Sequence, residues 1–253
     1  MPTWTPGALS REARPLKGEC WRLVEAQHRV STLKLVDTLA EQALIEELLE
    51  ETKPPLPPEC RHLHYLLATP FRYGPYPGGS RYRRPGHTPG VFYASEHVET
   101  AVAEIAFHRL LFFAESPDTP WPENAAEFTG FSVAYATALG LDLTLPPPLL
   151  PDRALWTDLV DYGPCQALAE NARAAGIQAL RSESVRDPGS RASIALLTCL
   201  AFAATEPSVR QTWRLRFGEG GVQALCEFPE LRCEFPHSVF AADPRMAALR
   251  GNR

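Results

Sequence analysis

The stretch from Gly78 to Arg109, GGSRYRRPGHTPGVFYASEHVETAVAEIAFHR, constrains this chain more than any other. Val91-Phe92-Tyr93-Ala94 is a short apolar and aromatic run, bounded by Pro89-Gly90 in front and Ser95 behind. Such a bounded run reads as a buried strand. Ser95 suits the N-cap of a following helix whose first turn carries Glu96 and Glu99. Val98, Ala101, Val102 and Ile105 give that helix an apolar stripe. Glu104 falls at the margin of the stripe rather than opposite it. Ahead of the strand stands a loop of glycines and cations, Gly78, Gly79, Arg81, Arg83 and Arg84. The expected product is a cleft on which the arginine loop, Tyr93 at a strand end and Glu104 converge.

Composition decides what such a loop would hold. The 253 residues carry a net charge of −5, so the arginines form a local basic island in an acidic protein. That balance favours a small anionic ligand over a polyanion, and argues against DNA binding by the loop and against any direct nucleic-acid or membrane footprint. With 45% hydrophobic and 22% charged residues the chain can bury one large core or two small ones. No apolar run approaches the roughly 20 residues needed to span a bilayer. The six cysteines show no framework spacing and follow no signal peptide, so free thiols in a reducing cytoplasm are expected.

Residues 1–19 hold no clear pattern and are expected to form an extended lead-in. Trp21-Arg22-Leu23-Val24 suits a first strand. Residues 32–51 read as a helix in which Val36, Leu39, Ala43, Leu44, Leu48 and Leu49 make one apolar face, stopped by the prolines that follow. Phe131, Val133 and Tyr135 alternate as a half-buried strand, with a second strand over residues 139–145. A helix over residues 164–175 ends at Gly176. Short strands over residues 177–180 and 194–197 flank the loop from Arg181 to Arg191. A hairpin turning at Gly218-Glu219-Gly220-Gly221 opens a C-terminal hairpin and tail, residues 206–253. A strand follows those glycines, so they are not a dinucleotide fingerprint. With no repeat and no linker, one α+β domain over residues 1–253 is expected.

Read alone, the candidate residues keep ordinary alternatives. Glu104 is either a solvated helix glutamate or a carboxylate able to stabilise a cationic transition state, as in glycosidic cleavage. Arg22, Arg72, Arg81 and Arg83 can clasp phosphate oxygens bidentately or merely solvate a loop, and Arg84 beside Pro85 suits the second role. Tyr93 fits a core aromatic or a stacking platform. Ser184, with Ser182 as a weaker competitor, sits in a polar loop of the kind that holds turn serines. No His–Asp pair at recognisable spacing marks it as a hydrolase nucleophile. Cys60-x-His62-x-His64 would aim three ligand types one way on a strand, but no second cluster completes a site and no metal is expected.

Cys20-Trp21-Arg22-Leu23, Gly79-Ser80-Arg81-Tyr82, Val91 to Ser95, Thr100 to Glu104 and Ser184-Val185-Arg186 together resemble the RES domain. That family comprises NAD-consuming toxins of bacterial toxin–antitoxin pairs, named for an arginine, a glutamate and a serine. The resemblance runs from Arg22 to Phe202. It implies a fold similar to that of the diphtheria-toxin-like ADP-ribosyltransferases, an α+β split mixed β-sheet with surrounding helices. It implies Glu104, Ser184 and Arg81 as catalytic residues. Arg22, Tyr93, Arg83, Arg72 and Arg186 are then NAD-binding, with Arg83 a rival to Arg81 and Arg72 a rival to Arg22. NAD becomes the substrate, cleaved at its nicotinamide–ribose bond by phosphorolysis or hydrolysis. The alternatives are mono-ADP-ribosyl transfer to a protein and a non-catalytic nucleotide- or partner-binding module. Inorganic phosphate, a helix-turn-helix antitoxin and a second copy in a homodimer are the partners implied. The helix over residues 32–51 would be an insertion used for a subunit or partner contact. Ser193 stands where many relatives carry asparagine.

Overall fold

The computed structural model describes residues 4–26, 35–73, 77–86, 89–146, 148–247 and 249. The lead-in differs from expectation. Thr5 caps a helix, α1 (Pro6–Glu12), with Pro6 in its first turn, where a missing N–H costs nothing. Strand β1 then runs over Arg14–Glu25, far longer than its apolar centre suggests. Helix α2 (Leu39–Glu51) begins with a capping box between Thr38 and Glu41; residues 32–34 of the expected helix lie outside the described residues. Its foreseen apolar face buries nothing, and Leu39 and Leu44 are 75% and 55% exposed. Arg72 holds it to α3 (Tyr65–Arg72) through Glu50 and the Pro54 carbonyl.

Strand β2 (Phe92–Ser95) leads into α4 (Val98–Glu115). Ser95 does not cap α4; it ends the strand, His97 occupies the cap position, and Glu96 turns away to pair with Arg181. The two strands expected over residues 131–135 and 139–145 are one, β3 (Ala126–Asp142). Beyond it lie α5 (Arg153–Trp156), α6 (Gly163–Ala174), β4 (Ala179–Glu183), β5 (Ala192–Leu196), β6 (Val209–Gly218), β7 (Gly221–Cys226) and β8 (Leu231–Pro236). Gly176 ends α6 at φ +76°, as expected of a left-handed stop.

These strands form one mixed eight-stranded sheet in the order β1-β2-β5-β4-β3-β6-β7-β8. Only β3–β4 is parallel. Long β3 serves three neighbours in turn, β6, β1 and β4, and so ties the two ends of the sheet together. Strands β1 and β2 pair at a single point, Trp21 opposite Ser95, and part beyond it. That parting is the split in the sheet.

Alternation assigns the faces. Cys20, Phe92, Ala94, Phe131 and Ile194 pack with α3 on one face. On the other, Leu23, Phe128 and Trp213 pack beneath α4, while Leu141, Leu180 and Ala195 pack beneath α6 and α1. The second face therefore carries two hydrophobic clusters with a gap between them. Where the loop before β2 passes under α3, a Cβ on Gly90 would lie 1.8 Å from the Pro70 carbonyl oxygen. Gly90→Ala is expected to cost at least about 1–3 kcal/mol through overpacking, read as a lower urea midpoint at unchanged slope.

Candidate active site

A cleft of about 570 Å³ fills that gap, on the face shared by α4 and α6 where β1 and β2 part. Its floor is a cross-strand row in register, Trp21, Ser95, Ser193 and Ser182. Ser95 and Ser182 are buried, and the Ser193 hydroxyl is sealed from solvent without a hydrogen-bond partner. One wall is α4, which presents Glu104, His108 and Glu115 along its length. The loop from Gly78 to Tyr82 forms another wall, and Tyr162, Arg186 and Arg245 close the rest.

The Ser184 hydroxyl donates to Glu104 Oε1 at 2.6 Å and accepts from the backbone N–H groups of Arg186 and Asp187 at 3.3 and 3.2 Å. Ser184 opens the loop between β4 and β5. Its proton is thereby committed to the carboxylate, and its oxygen to the turn. Asp187 clamps the same loop onto α4: it accepts from Thr100 at 2.6 Å, from Arg191 at 2.6 and 3.0 Å, and from the Gly189 N–H at 3.0 Å. Burial alone would raise the Asp187 pKa, but these donors bring it down to about 2. Thr100 and Glu104 are one helical turn apart on one face of α4. The loop is held at two successive steps of that face.

The arginines divide sharply. Arg22 is half-buried and spans the parting of β1 and β2: its Nη1 donates to the Tyr93 carbonyl at 2.7 Å, and its Cζ lies 5.2 Å from the Phe92 ring centroid. Its Nε is sealed without a partner, and burial pushes its pKa down to about 10. Arg81 donates to the carbonyls of Trp156 and Asp158 at 3.0 and 2.9 Å and stacks on Tyr162 with Cζ 4.5 Å from the ring centroid. Among the described residues neither Arg22 nor Arg81 has a carboxylate partner. Arg186 lines the cleft but is only 4% exposed. It pairs with Asp243 at 2.8 Å, donates to the Leu159 carbonyl at 2.7 Å, and lies 3.6 Å above the Phe107 ring. Arg83 and Arg72 are not among the cleft residues. Arg83 bridges back to Ser80 and reaches the Tyr73 carbonyl, and Arg72 serves α2. Arg84 pairs with Glu170 on α6, the scaffold role its neighbour Pro85 suggests.

Tyr93 lines the cleft, and its hydroxyl fixes the arginine loop, meeting Ser80 Oγ at 2.7 Å and accepting from the Tyr82 N–H at 3.0 Å. Its ring runs nearly parallel to that of Tyr82, with centroids 6.3 Å apart. His64 caps α3, receiving the Leu66 N–H, and meets Arg210.

Sequence reasoning missed His108, Tyr162, Asp243 and Arg245. His108 was legible, since it follows Glu104 by one helical turn. The other three carry no local motif. Asp243 receives both Arg186 and Arg245, and Arg245 also donates to the Leu159 carbonyl at 3.0 Å. Burial would raise the Tyr162 phenol pKa, but Arg245, Arg186 and Arg81 around it bring it below the ordinary value.

The profile of the RES domain family matches residues 56–218. That is well over half of the 253 residues, and the chain belongs to this family. The match begins later than the resemblance at Arg22 suggests, leaving α1, β1 and α2 outside it, together with Asp243 and Arg245. Among solved structures, a chain in the crystal structure of the M. tuberculosis MbcT–MbcA toxin–antitoxin complex aligns over 82% of this chain and 92% of its own length. The two are 14% identical, with a TM-score of 0.45. No curated protein matches.

Asp187 is 5% exposed, and its folded pKa lies below the ordinary value of about 3.9. Its contribution to stability is therefore full above pH ~4 and fades as the pH falls through the folded value. Asp187→Ala should lower stability at neutral pH by about 1.5–3 kcal/mol, the worth of hydrogen bonds to a charged group. The difference from wild type should shrink as urea titrations are moved toward pH 2.

Proposed function

We propose that the cleft binds NAD and breaks its nicotinamide–ribose bond. The observation that carries this reading is Glu104, held by Ser184 in a cleft lined also by Arg22 and Arg81, neither of which has a carboxylate partner among the described residues. Membership of the RES family supports it, since the resemblance implies NAD as substrate. Arg22 and Arg81 offer donors to a pyrophosphate. Tyr93 offers aromatic surface at the strand end for a base or nicotinamide, with buried Tyr82 behind it. As the bond breaks, the electron pair leaves with nicotinamide and positive charge grows on the ribose. A fixed carboxylate stabilises that charge. Ser184 is the positioning residue in this scheme: it holds Oε1 and leaves Oε2 to face the ribose. The split mixed sheet supports kinship with the diphtheria-toxin-like ADP-ribosyltransferases, and strands drawn from Arg14 to Pro236 support one domain over the chain. No described helix is long and apolar enough to cross a membrane, in keeping with an enzyme acting on cytoplasmic NAD and restrained by an antitoxin.

The test is nicotinamide release from NAD by the purified chain, with and without phosphate, beside Glu104→Gln. Wild type should release nicotinamide, and the variant should be slower by on the order of 10²–10³-fold, the loss seen when one fixed electrostatic group is removed from a transition state. Dependence on phosphate identifies phosphorolysis; release without it identifies hydrolysis. Arg22→Ala should raise the KM for NAD by about 10- to 100-fold, from the loss of charge-assisted hydrogen bonds. No release in either buffer, with a folded protein, sinks the proposal.

A further inference from the structure

Helix α4 sets Thr100, Glu104 and His108 in a row along one face, each about 6 Å beyond the last. The first two are spoken for: Thr100 by Asp187, and Glu104 by Ser184. His108 lines the cleft, is open to it, and carries no hydrogen bond on either ring nitrogen among the described residues. Four charged groups from the cleft walls act on it electrostatically. Glu104 lies on its own helix, Arg81 on the loop before β2, Arg186 on the loop after β4, and Arg245 on the turn at residues 244–247.

We infer that His108 is a catalytic residue, the group that takes the proton from the O–H of the acceptor as the glycosidic bond breaks. This rests on the NAD-cleaving reading above. The acceptor oxygen forms a bond to the ribose C1′ while the C1′–N bond breaks and its electron pair leaves with neutral nicotinamide. The acceptor's O–H bond breaks in the same phase, and its proton goes to the free ring nitrogen of His108. Water and the phosphate monoanion both supply such an O–H, and both steps balance without any other reactant.

The surroundings keep the imidazole competent. Its place inside the cleft disfavours the cation by partial desolvation and lowers its pKa, although the ring stays open to the cleft. The charges of Arg186, Arg245 and Arg81 lower it further, and Glu104 alone opposes them. The ring is therefore neutral at neutral pH and protonates only below the ordinary histidine value of about 6.5. An imidazolium formed under these charges gives its proton up readily to solvent at the open side of the cleft.

The experiment follows nicotinamide release against pH, with and without phosphate, for wild type, His108→Gln and His108→Asn, with thermal unfolding to verify that each is folded. Wild-type kcat should fall on the acid side of an inflection below pH 6.5. Both variants should lose about 10²-fold or more in kcat, lose the acid limb, and keep the KM for NAD within about threefold. Release without phosphate names water as the source of the O–H, and release only with phosphate names phosphate. Folded variants that retain wild-type kcat and the acid limb overturn the role of His108 and leave the NAD-cleaving reading intact. Absence of release by wild type in both buffers overturns both.

Discussion

The single pairing of β1 with β2, Trp21 opposite Ser95, is the constraint on which the cleft depends. A full ladder there would close the sheet and leave no gap between the clusters under α4 and α6. Backbone groups left unpaired by the parting must find partners, since buried ones without them are rare. Arg22 supplies the Tyr93 carbonyl with its missing donor. A cation thus replaces a strand-to-strand bond, and its charge is placed at the edge of the cleft as a structural necessity. Strand alternation puts the small hydroxyls of the serine row, instead of apolar bulk, at the floor beside that parting.

Against that floor, α4 works as a ruler. Its residues at successive turns meet the loop from Ser184 to Arg191 at fixed intervals, first through Asp187 and then through Ser184. The loop's own backbone bonds among the described residues are the Ser184 N–H to the Arg191 carbonyl and the Ser190 N–H to the Asp187 carbonyl. Its geometry comes from carboxylates and hydroxyls anchored on a helix that is itself buried on most sides. Precision at Glu104 therefore derives from hydrophobic packing of Val102, Ala106, Phe107 and Leu110 beneath it, carried to the surface by the helical repeat.

Much of this was legible from sequence because it rests on short-range rules. The β2–α4 unit, the Gly176 stop and the glycine hairpin follow from periodicity and backbone freedom. The convergence of the arginine loop, Tyr93 and Glu104 on one cleft follows from strand–helix order, whereas the choice of Arg81 and Ser184 came from the resemblance to the RES domain. What escaped depends on distant pairing. Ser95 looked like an N-cap because local chemistry favours it, yet pairing with Trp21 and Ser193 keeps it in the strand. The α2 leucines have helical periodicity and still bury nothing, since among the described residues no element packs over them. Asp243 and Arg245 come from a segment with no pattern at all, and only its packing on Phe107 brings it to the cleft.

That last segment changes how the cations divide their work. Arg186 has its charge answered by Asp243, 1% exposed, and its remaining donors turned to Leu159 and Tyr162. A phosphate could engage it only by displacing a buried carboxylate, leaving that charge unpaired in a poorly solvated site, which costs several kcal/mol. Arg245 shares the same carboxylate and differs in being more exposed. Arg22 and Arg81 donate to carbonyls, which neutralise nothing. Arg22, at the parted strands, and Arg81, on the glycine loop, are therefore the cleft cations without a carboxylate partner among the described residues, while Arg186 and Arg245 share the single charge of Asp243. A ligand matched to this cleft carries its negative charge at the arginines and develops positive charge at Glu104. On the reading proposed above, NAD has that polarity: its pyrophosphate is anionic, and positive charge grows on the ribose as neutral nicotinamide leaves.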